Sequence, residues 1–370
     1  MEKLKVLTIF GTRPEAIKMA PLVKELMKNE HIESIVCVTA QHRQMLDQVL
    51  DAFQIIPQYD LNIMKENQTL VDINSKALIE IDNIIKKVKP DLVLVHGDTT
   101  TTLCGGLAAF YNQVKLGHVE AGLRTNNKYS PFPEEINRKI TGVLADMHFA
   151  PTGISKENLI REGVDDSKIF ITGNTAIDAL KTTIMTNYSN DLLRKVGDKK
   201  IILLTAHRRE NIGENMENMF NAIKRVVNEF EDVEVIYPIH LNPKVIEIAK
   251  KILDNDSKIH LIEPLEVIDF HNLINKSYII LTDSGGIQEE APHLGKPVLV
   301  LRDTTERPEG IMAGTLKLAG VKEESIYNAI KELLLNEDLY NTMSKASNPY
   351  GDGNASKYIV DIILKNFNIK

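Results

Sequence analysis

Short apolar runs rich in valine and isoleucine alternate with longer amphipathic segments along almost the whole chain. The runs predict strands, and the segments between them have the period of helices. Continuous apolar strands separated by helices are typical of parallel sheets covered on both faces. The strands fall into two series, which predicts two doubly wound α/β domains. The first series is Val6–Phe10, Ser34–Thr39, Leu92–His96, Lys115–Val119 and Met147–Ala150; the second is Ile201–Thr205, Val233–Tyr237, Ile259–Leu261, Tyr278–Leu281 and Pro297–Leu301.

The domain boundary is predicted near Gly173, after the strand-like Ile169–Thr172. Residues 1–172 then form the first Rossmann-like domain, and residues 173–354 form the second. The pattern alone allows the final helix, Ala355–Phe367, to pack on either domain. Predicted helices between the strands include Pro14–Lys28, Leu70–Lys87, Ile154–Arg161, Met216–Glu229 and Glu324–Leu335.

Composition and charge narrow the class of protein. The 370 residues are 43% hydrophobic and 26% charged, which is ordinary for a globular protein. A net charge of −7 argues against a general nucleic-acid-binding surface. Cys37 and Cys104 lie in apolar surroundings and are expected to be reduced core residues. There is no apolar run of about 18 residues, so we expect a cytoplasmic protein.

The turn after the first predicted strand carries two cations. In "FGTRPEAIKMAPLV", Gly11 and Thr12 make the turn, and Arg13 and Lys18 follow at the mouth of the sheet. Open α/β sheets bind ligands at the carboxyl ends of their strands. Anion binding and an ordinary strand-to-helix turn with solvated charges are equally good interpretations of this pattern.

Three carboxylates follow neighbouring elements of the first domain. Asp98 ends "HGD", Glu120 lies in "HVEAGLRT" and Glu134 in "SPFPEEINRK". Clustered carboxylates acquire raised pKa values, which suits general acid–base chemistry. Alternatively, Asp98 caps the helix opened by four threonines. The group could also chelate a metal, although no pair of side chains has a recognisable ligand spacing.

The second domain carries an anion-binding pattern of its own. In "DSGGIQEE", the backbone of Ser284–Gly286 precedes a helix and favours phosphate. Glu290 follows about one helical turn later, which is roughly the distance from a diphosphate to the ribose of the same nucleotide. We therefore interpret Glu290 as a ribose acceptor and the ligand as a nucleotide diphosphate. His207, with the arginine pair Arg208 and Arg209 beside it, is expected to face an anion rather than to be plain polar surface.

Two familiar nucleotide patterns are absent or misplaced. Tyr111 and Lys115 have the Tyr-x-x-x-Lys spacing of nicotinamide-dependent epimerases, but Lys115 begins the next predicted strand. No G-x-G-x-x-G follows a strand, and no P-loop sequence occurs. The sequence therefore argues against bound NAD and against P-loop chemistry.

The motifs together resemble those of the non-hydrolysing UDP-N-acetylglucosamine 2-epimerases of bacterial type. The resemblance runs from about Leu4 to the C-terminal helix. It is carried by "FGTRPEAIKMAPL", "HGDTTTT", "GHVEAGLRT", "FPEEINR", "TAHRREN", "DSGGIQEEAP" and "KPVLVLRDTTERPE".

The resemblance implies a two-domain glycosyltransferase-B fold with the substrate in an interdomain cleft. It implies that the C-terminal helix, residues 355–370, crosses back onto the first domain. The implied reaction interconverts UDP-GlcNAc and UDP-ManNAc without NAD or an essential metal. In the family route UDP is eliminated to give 2-acetamidoglucal, and it adds again after reprotonation at C2. A homodimer is implied as well.

The resemblance also implies roles for individual residues. Asp98, Glu120 and Glu134 are the acid–base candidates, and His207 assists the departing diphosphate. Leu265 stands where some relatives have glutamine, so only a main-chain contact is expected there. The remaining substrate contacts are Arg13, Lys18, Ser284, Gly285, Gly286 and Arg307 at the diphosphate, Glu290 at the ribose and Phe270 near uracil.

Bacterial members of the family have an activating UDP-GlcNAc site beside the catalytic one. Asn67 stands where relatives often have arginine, so the resemblance implies a weakened activator site here. The matching residues of this sequence are Gln41, Gln44, Glu134, Arg208 and His240.

Three alternatives to a non-hydrolysing epimerase stay open on the sequence. A glycosyltransferase of the same fold would turn over only with an acceptor. A hydrolysing epimerase would release UDP and ManNAc, and a non-catalytic UDP-sugar sensor would have no need of three clustered carboxylates. The sequence does not indicate which glycan pathway uses the product.

Overall fold

The computed structural model describes residues 3–40, 43–65, 68–254 and 256–369, and the side chains of 43–45 lie outside the description. The chain divides into two compact units. The first unit comprises Met1–Thr182 and Tyr350–Lys370, and the second comprises Thr183–Pro349. Each unit contains a parallel sheet with helices, so the predicted α/β class is confirmed.

The first unit is built on a seven-stranded sheet. Its strands are β1 Leu4–Phe10, β2 Ile32–Val38, β3 Tyr59–Asp60, β4 Leu92–His96, β5 Lys115–Val119, β6 Met147–Ala150 and β7 Ile169–Ile171. They are ordered β3-β2-β1-β4-β5-β6-β7, and all described pairs are parallel. Strands β4 and β6 are buried along their whole length because apolar side chains on both faces lie under helices. Cys37 and Cys104 are buried in this unit, as predicted.

Four helices of the first unit begin at a threonine that caps the helix. Thr12 and Thr69 each form a capping box with an acidic residue three positions later. Thr99 and Thr152 cap their helices through side-chain oxygens. The helices are α1 Arg13–Lys28, α2 Arg43–Ala52, α3 Leu70–Val88, α4 Thr100–Tyr111, α5 Glu134–Leu144, α6 Gly153–Arg161 and α7 Thr175–Thr183.

The second unit has a six-stranded sheet. Its strands are β8 Lys200–Thr205, β9 Val233–Pro238, β10 Ile259–Ile262, β11 Ile279–Thr282, β12 Val298–Val300 and β13 Leu316–Leu318. They are ordered β10-β9-β8-β11-β12-β13, again in parallel pairs. The helices are α8 Asp191–Val196, α9 Glu214–Glu229, α10 Pro243–Leu253, α11 Val267–Lys276, α12 Ile287–His293, α13 Pro308–Met312, α14 Glu323–Leu335 and α15 Glu337–Lys345.

The C-terminal helix, α16 Ala355–Asn366, belongs to the first unit and packs on α1. Asp178 of α7 accepts hydrogen bonds from the backbone N–H groups of Ala355 and Ser356, at 3.1 and 2.7 Å. The N–H of Asn174 donates to the carbonyl of Tyr350 at 2.7 Å. These bonds join Tyr350 and the start of α16 to the first unit. The units divide at 182/183 and 349/350, and the divisions predicted from the sequence are 172/173 and 354/355.

Candidate active site

The predicted site residues follow strands at the point where the strand order reverses in each sheet. In the first unit β1 lies between β2 and β4, and in the second β8 lies between β9 and β11. Open α/β sheets bind ligands at such switch points, outside the carboxyl ends of the strands. Arg13, Asp98 and Glu120 follow β1, β4 and β5, while His207 and Ser284 follow β8 and β11.

The turn after β1 is tied to the turn after β4 by one buried carboxylate. Oε2 of Glu15 accepts hydrogen bonds from the backbone N–H groups of Gly11 and Thr12, at 3.0 and 2.8 Å. Its Oε1 accepts a hydrogen bond from the Thr99 hydroxyl at 2.6 Å. This carboxylate fixes the turn that presents Arg13 and Lys18, and no motif in the sequence predicted a role for it.

Glu120 is the most constrained of the three predicted carboxylates. Its backbone is left-handed, with φ of 62°, and its side chain is buried. Its Oε2 contacts Nζ of Lys18, accepts a hydrogen bond from Asn174 Nδ2 at 2.9 Å and lies 3.4 Å from His96 Nε2. Burial alone would raise the pKa of Glu120, but Lys18 and then His96 more than offset it and hold the pKa well below its usual value. The expectation of a raised pKa is therefore wrong for Glu120.

Asp98 is held by an arginine that lies far along the chain. Its Oδ2 accepts a hydrogen bond from Nε of Arg138 at 2.7 Å and lies 2.5 Å from Nη2 of the same guanidinium. Its backbone carbonyl accepts a hydrogen bond from Asn137 Nδ2 at 2.9 Å. Asp98 does not cap α4, because Thr99 is the capping residue. The alternative interpretation of Asp98 as a helix cap is thus wrong.

The two glutamates at the start of α5 have different surroundings. Glu135 is fully buried, and its carboxylate accepts hydrogen bonds from the N–H groups of Thr125 and Asn126, each at 3.0 Å. Glu134 is half-buried, and its Oε2 has no hydrogen-bond partner among the described residues although solvent does not reach it. Glu135 therefore holds the loop before α5, whereas Glu134 keeps an unused acceptor.

The loop after β8 is organised by Asp283, which is fully buried at the end of β11. Its Oδ2 accepts from the backbone N–H groups of His207 and Arg208, at 3.0 and 2.9 Å, and from Asn211 Nδ2 at 3.1 Å. This one carboxylate places both the predicted catalytic histidine and its neighbouring arginine.

Two guanidinium groups flank Gly285. A Cβ added to Gly285 would lie 3.7 Å from Nη2 of Arg307 and 3.9 Å from Nη2 of Arg208. Arg307 contacts the buried carboxylate of Glu289, and Arg208 faces Glu306 with its two terminal nitrogens, at 3.4 and 3.3 Å. The backbone of Gly285 is therefore open to an anion with two arginines beside it.

Glu306 completes the charge arrangement around these arginines. Burial alone would raise the pKa of Glu306, but Arg208 and Arg302 more than offset it and lower the pKa. Arg302 Nη2 lies 3.4 Å from Oε1 of Glu306. The carboxylate therefore stays ionised beside Arg208, whose Nη2 is also the atom near Gly285.

Glu290 lies one turn into α12, and its side chain is 11% exposed. Its Oε2 lies 3.6 Å from Nε2 of His271, and its Oε1 lies 3.8 Å from the position of a Cβ on Gly286. The carboxylate is thus adjacent to the Ser284–Gly286 segment, as the sequence predicted. Glu289, by contrast, points at Arg307.

His207 stacks on His240, with ring centroids 5.2 Å apart and ring planes 10° from parallel. Burial lowers the pKa of His207, Asp283 opposes that shift, and His240 and Arg208 add to it. The imidazole is therefore neutral near pH 7 and can donate one hydrogen bond.

The remaining predicted residues fall into two groups. Leu265 and Phe270 are half-buried and pack on a core cluster that includes Leu203 of β8 and Ile280 of β11. Arg13 is half-buried at the start of α1. Gln41 and Asn67 lie outside the described residues, and Gln44 lies in α2 with its side chain outside the description.

Three further observations concern a metal site, a membrane-spanning helix and the Tyr-x-x-x-Lys pair. Among the described residues, no group of three or more histidine, cysteine and carboxylate side chains could hold a metal ion. The same ranges contain no helix that is long and apolar enough to cross a membrane. Tyr111 ends α4 and Lys115 begins β5, so these two residues do not share a helix face, as predicted.

Comparison with known proteins identifies the family. The family model for UDP-N-acetylglucosamine 2-epimerase matches residues 24–364. The chain belongs to this family. The Bacillus subtilis (strain 168) UDP-N-acetylglucosamine 2-epimerase is 68% identical over 364 residues, which cover 98% of this chain and 96% of the relative. Membership makes the chain an enzyme and confirms the resemblance seen in the sequence.

Solved structures of family members agree with this assignment. The chain in one crystal structure of a UDP-N-acetylglucosamine 2-epimerase is 65% identical in sequence, with a TM-score of 0.93. The match covers 100% of this chain and 97% of the chain in that structure. The Neisseria meningitidis enzyme, crystallised bound to UDP-GlcNAc, is 51% identical with a TM-score of 0.90, over 98% of this chain and 100% of its own. A Rickettsia africae glycosyltransferase, 15% identical with a TM-score of 0.64, shares the fold alone.

Proposed function

We propose that this enzyme reversibly converts UDP-N-acetylglucosamine to UDP-N-acetylmannosamine by inverting C2. Family membership supports the substrate class, as does the relative from Neisseria meningitidis that was crystallised with UDP-GlcNAc. The product supplies ManNAc units for a cell-surface polysaccharide. Neither NAD nor a metal ion takes part in this proposal.

The proposed route is an elimination followed by an addition. The C1–O bond to UDP breaks with its electron pair going to UDP, the C2 proton goes to a base, and the C1–C2 double bond of 2-acetamidoglucal forms. A proton is then added to C2 on the opposite face, and UDP adds again at C1. Positive charge develops on the ring as the C1–O bond lengthens, and nearby carboxylates stabilise it.

One observation carries this proposal: three carboxylates of the first unit have three different environments. Glu120 is held ionised against Lys18, which suits it to stabilise positive charge at C1. Asp98 is oriented by Arg138. Glu134 keeps a buried oxygen that has no partner among the described residues, which suits it to exchange a proton with C2.

In this proposal the second unit binds UDP. Arg307 and the backbone of Ser284–Gly286 bind the diphosphate, and Glu290 accepts hydrogen bonds from the ribose hydroxyls. His207 donates a hydrogen bond to the departing diphosphate, and Phe270 packs near uracil with a main-chain contact from Leu265. Arg13 and Lys18 of the first unit supply further positive charge to the diphosphate.

We propose that UDP-GlcNAc also activates the enzyme through Gln41, Gln44, Glu134, Arg208 and His240. The stacked rings of His207 and His240 support this, because the two sites would then share a wall. We further propose a homodimer. Three apolar side chains at helical spacing along α5 are exposed and support it: Ile136, Ile140 and Val143, at 37%, 38% and 85%.

The decisive experiment incubates purified protein with UDP-GlcNAc alone and follows products by NMR. UDP-ManNAc should accumulate to an equilibrium mixture with UDP-GlcNAc. Release of free ManNAc would identify a hydrolysing epimerase, and turnover only after addition of an acceptor would identify a glycosyltransferase. Binding without any product would identify a sensor, and each of these outcomes would overturn the proposal.

A further inference from the structure

His271 is a buried residue of the second unit, and its imidazole lies between the Thr183 hydroxyl and the Glu290 carboxylate. It lies in α11 and is 2% exposed. Its Nδ1 is 2.7 Å from the Thr183 hydroxyl, and its Nε2 is 3.6 Å from Oε2 of Glu290. No role in binding or catalysis follows for His271 from the motifs in the sequence.

Two tautomers of His271 fit the contact with Thr183, and the one that accepts the hydroxyl hydrogen bond at Nδ1 presents an N–H to Glu290 instead of a lone pair. A neutral imidazole has one N–H and one acceptor nitrogen. When the Thr183 hydroxyl donates to Nδ1, the proton resides on Nε2 and points toward the carboxylate. At 3.6 Å this N–H is an electrostatic partner of Glu290 rather than a full hydrogen bond.

Thr183 is itself fixed by the residue after His271. Nδ2 of Asn272 donates to the carbonyl of Thr183 at 2.7 Å, and Oδ1 of Asn272 accepts from the N–H of Met185 at 2.8 Å. Asn272 is 1% exposed, and its bond to the Thr183 carbonyl is buried. The hydroxyl that orients His271 is therefore anchored to the same helix.

The two oxygens of Glu290 have different neighbours as a result. Oε2 faces His271, while Oε1 lies beside Gly286 at the turn after β11. A carboxylate accepts both hydroxyls of a ribose diol only in one orientation of its plane. A fixed N–H behind one oxygen favours that orientation before the ligand arrives.

We propose that His271 is a positioning residue that orients Glu290 for the ribose and so sets the preference for ribonucleotides over 2′-deoxyribonucleotides. The inference rests on the proposed function, in which Glu290 accepts the ribose hydroxyls. Thr183 is the third member of this arrangement, and it acts through the imidazole.

The test is calorimetric titration of the full-length protein with UDP and with 2′-deoxy-UDP. His271→Phe keeps the ring and removes both nitrogens, while His271→Gln keeps a donor near the Nε2 position. Thr183→Val removes only the hydroxyl. We expect His271→Phe to lower the preference for UDP by about tenfold, mainly by weakening the binding of UDP. That is the weight of the hydrogen bond from the ribose 2′-hydroxyl to a correctly oriented Glu290 carboxylate. His271→Gln should restore most of that preference, and Thr183→Val should reduce it.

Glu290→Gln separates this inference from the proposed function. If Glu290→Gln leaves the preference for UDP unchanged, Glu290 is not the ribose acceptor and both proposals about it fail. If Glu290→Gln abolishes the preference while folded His271→Phe retains it, only the positioning role fails. If His271→Phe weakens the binding of UDP and of 2′-deoxy-UDP equally, His271 has only a structural role. If His271→Phe does not fold, His271→Gln and Thr183→Val decide the question by the same comparison.

Discussion

At the scale of single residues, the buried charges of the first unit are compensated in pairs. Lys18 contacts Glu120, and Arg138 binds Asp98 through two nitrogens. A buried carboxylate is costly unless it is paired and hydrogen-bonded. The pairs therefore allow acidic groups to lie at the ends of β4 and β5.

The first prediction concerns these carboxylates. Asp98→Asn, Glu120→Gln and Glu134→Gln should each lose at least ~10²-fold in turnover, because each removes a positioned acid, base or charge. The measurement is initial rate with saturating UDP-GlcNAc. Glu157→Gln is the matched control, since its side chain is 63% exposed and should leave the rate unchanged. Normal rates in all three variants would show that the cluster is structural.

The second prediction concerns His118, which lies two residues before Glu120. Burial lowers its pKa from 6.5 to about 3, and neighbouring His148, Arg124 and His96 push in the same direction. The unfolded chain therefore takes up a proton here before the folded protein does. The contribution of His118 to the free energy of unfolding is fully present above pH ~6.5 and is lost as the pH falls toward ~3.

His118→Gln removes this titration while its amide can still donate to the Gly97 carbonyl, which His118 Nε2 reaches at 2.7 Å. Between pH 6.5 and 4.5 the native protein should lose more free energy of unfolding than the variant does, as measured by urea titration. His31→Gln, at a side chain 39% exposed, should keep the native slope. Equal slopes for the native protein and His118→Gln would contradict the assignment.

Sequence reasoning found the acidic and nucleotide-facing residues but not their supports. Asp98 and Glu120 were located because they directly follow apolar strands. Arg138 and Asp283 were not, because their partners Asp98 and Arg208 lie 40 and 75 residues away. Glu15 has the local Thr-x-x-Glu spacing of a capping box, but its bond to Thr99, 84 residues away, has no such local signal. Such pairs are created by the sheet order, and no local spacing in one sequence encodes them.

At the scale of elements, most strands predicted from the sequence are present in the structure with similar bounds. The predicted bounds of β4, β5 and β6 agree with the structure, because each strand ends where a polar or glycine-containing turn begins. Strands β3 and β13 were missed. Tyr59–Asp60 and Leu316–Leu318 are two and three residues long, too short to form a run that stands out from a loop.

The turn between β1 and α1 carries the third prediction. A Cβ on Gly11 would lie 1.9 Å from Oγ1 of Thr39 and 2.6 Å from Oγ1 of Thr101. Gly11→Ala should therefore destabilise the protein by about 1–3 kcal/mol, the usual effect of overpacking a buried site. Chemical denaturation measures this.

Two further variants test the reason for that loss. Gly153→Ala is the control and should be neutral, because a Cβ there meets nothing within 4 Å. Thr39→Ala in the Gly11→Ala background should recover part of the stability by removing the nearer oxygen. Full native stability of Gly11→Ala would show that the turn is not closely packed.

At the scale of the whole molecule, the chain leaves the first unit at Thr182 and returns to it at Tyr350. The sequence pattern could not decide where α16 packs, since an amphipathic helix fits either sheet. The polar contacts of Asp178 with the start of α16 decide it, and they join positions 177 and 178 residues apart.

The fourth prediction concerns activation by substrate. If UDP-GlcNAc binds a second site and stabilises the active conformation, the reaction started from UDP-ManNAc alone should be slow until UDP-GlcNAc is supplied. Gln44→Ala or His240→Ala should abolish this activation with less effect on UDP binding. Asn67→Arg should lower the UDP-GlcNAc concentration required. A full rate from UDP-ManNAc at the first time point would show that the switch is absent.

Deuterium exchange during turnover tests the proposed chemistry most directly. UDP-GlcNAc is incubated with the enzyme in D₂O without added NAD, and C2 is followed by proton NMR in both epimers. Removal and return of the C2 proton through 2-acetamidoglucal predicts that deuterium appears at C2 of UDP-GlcNAc and of UDP-ManNAc. Epimerisation with the original proton retained at C2 would contradict the elimination route and the roles given to Asp98, Glu120 and Glu134.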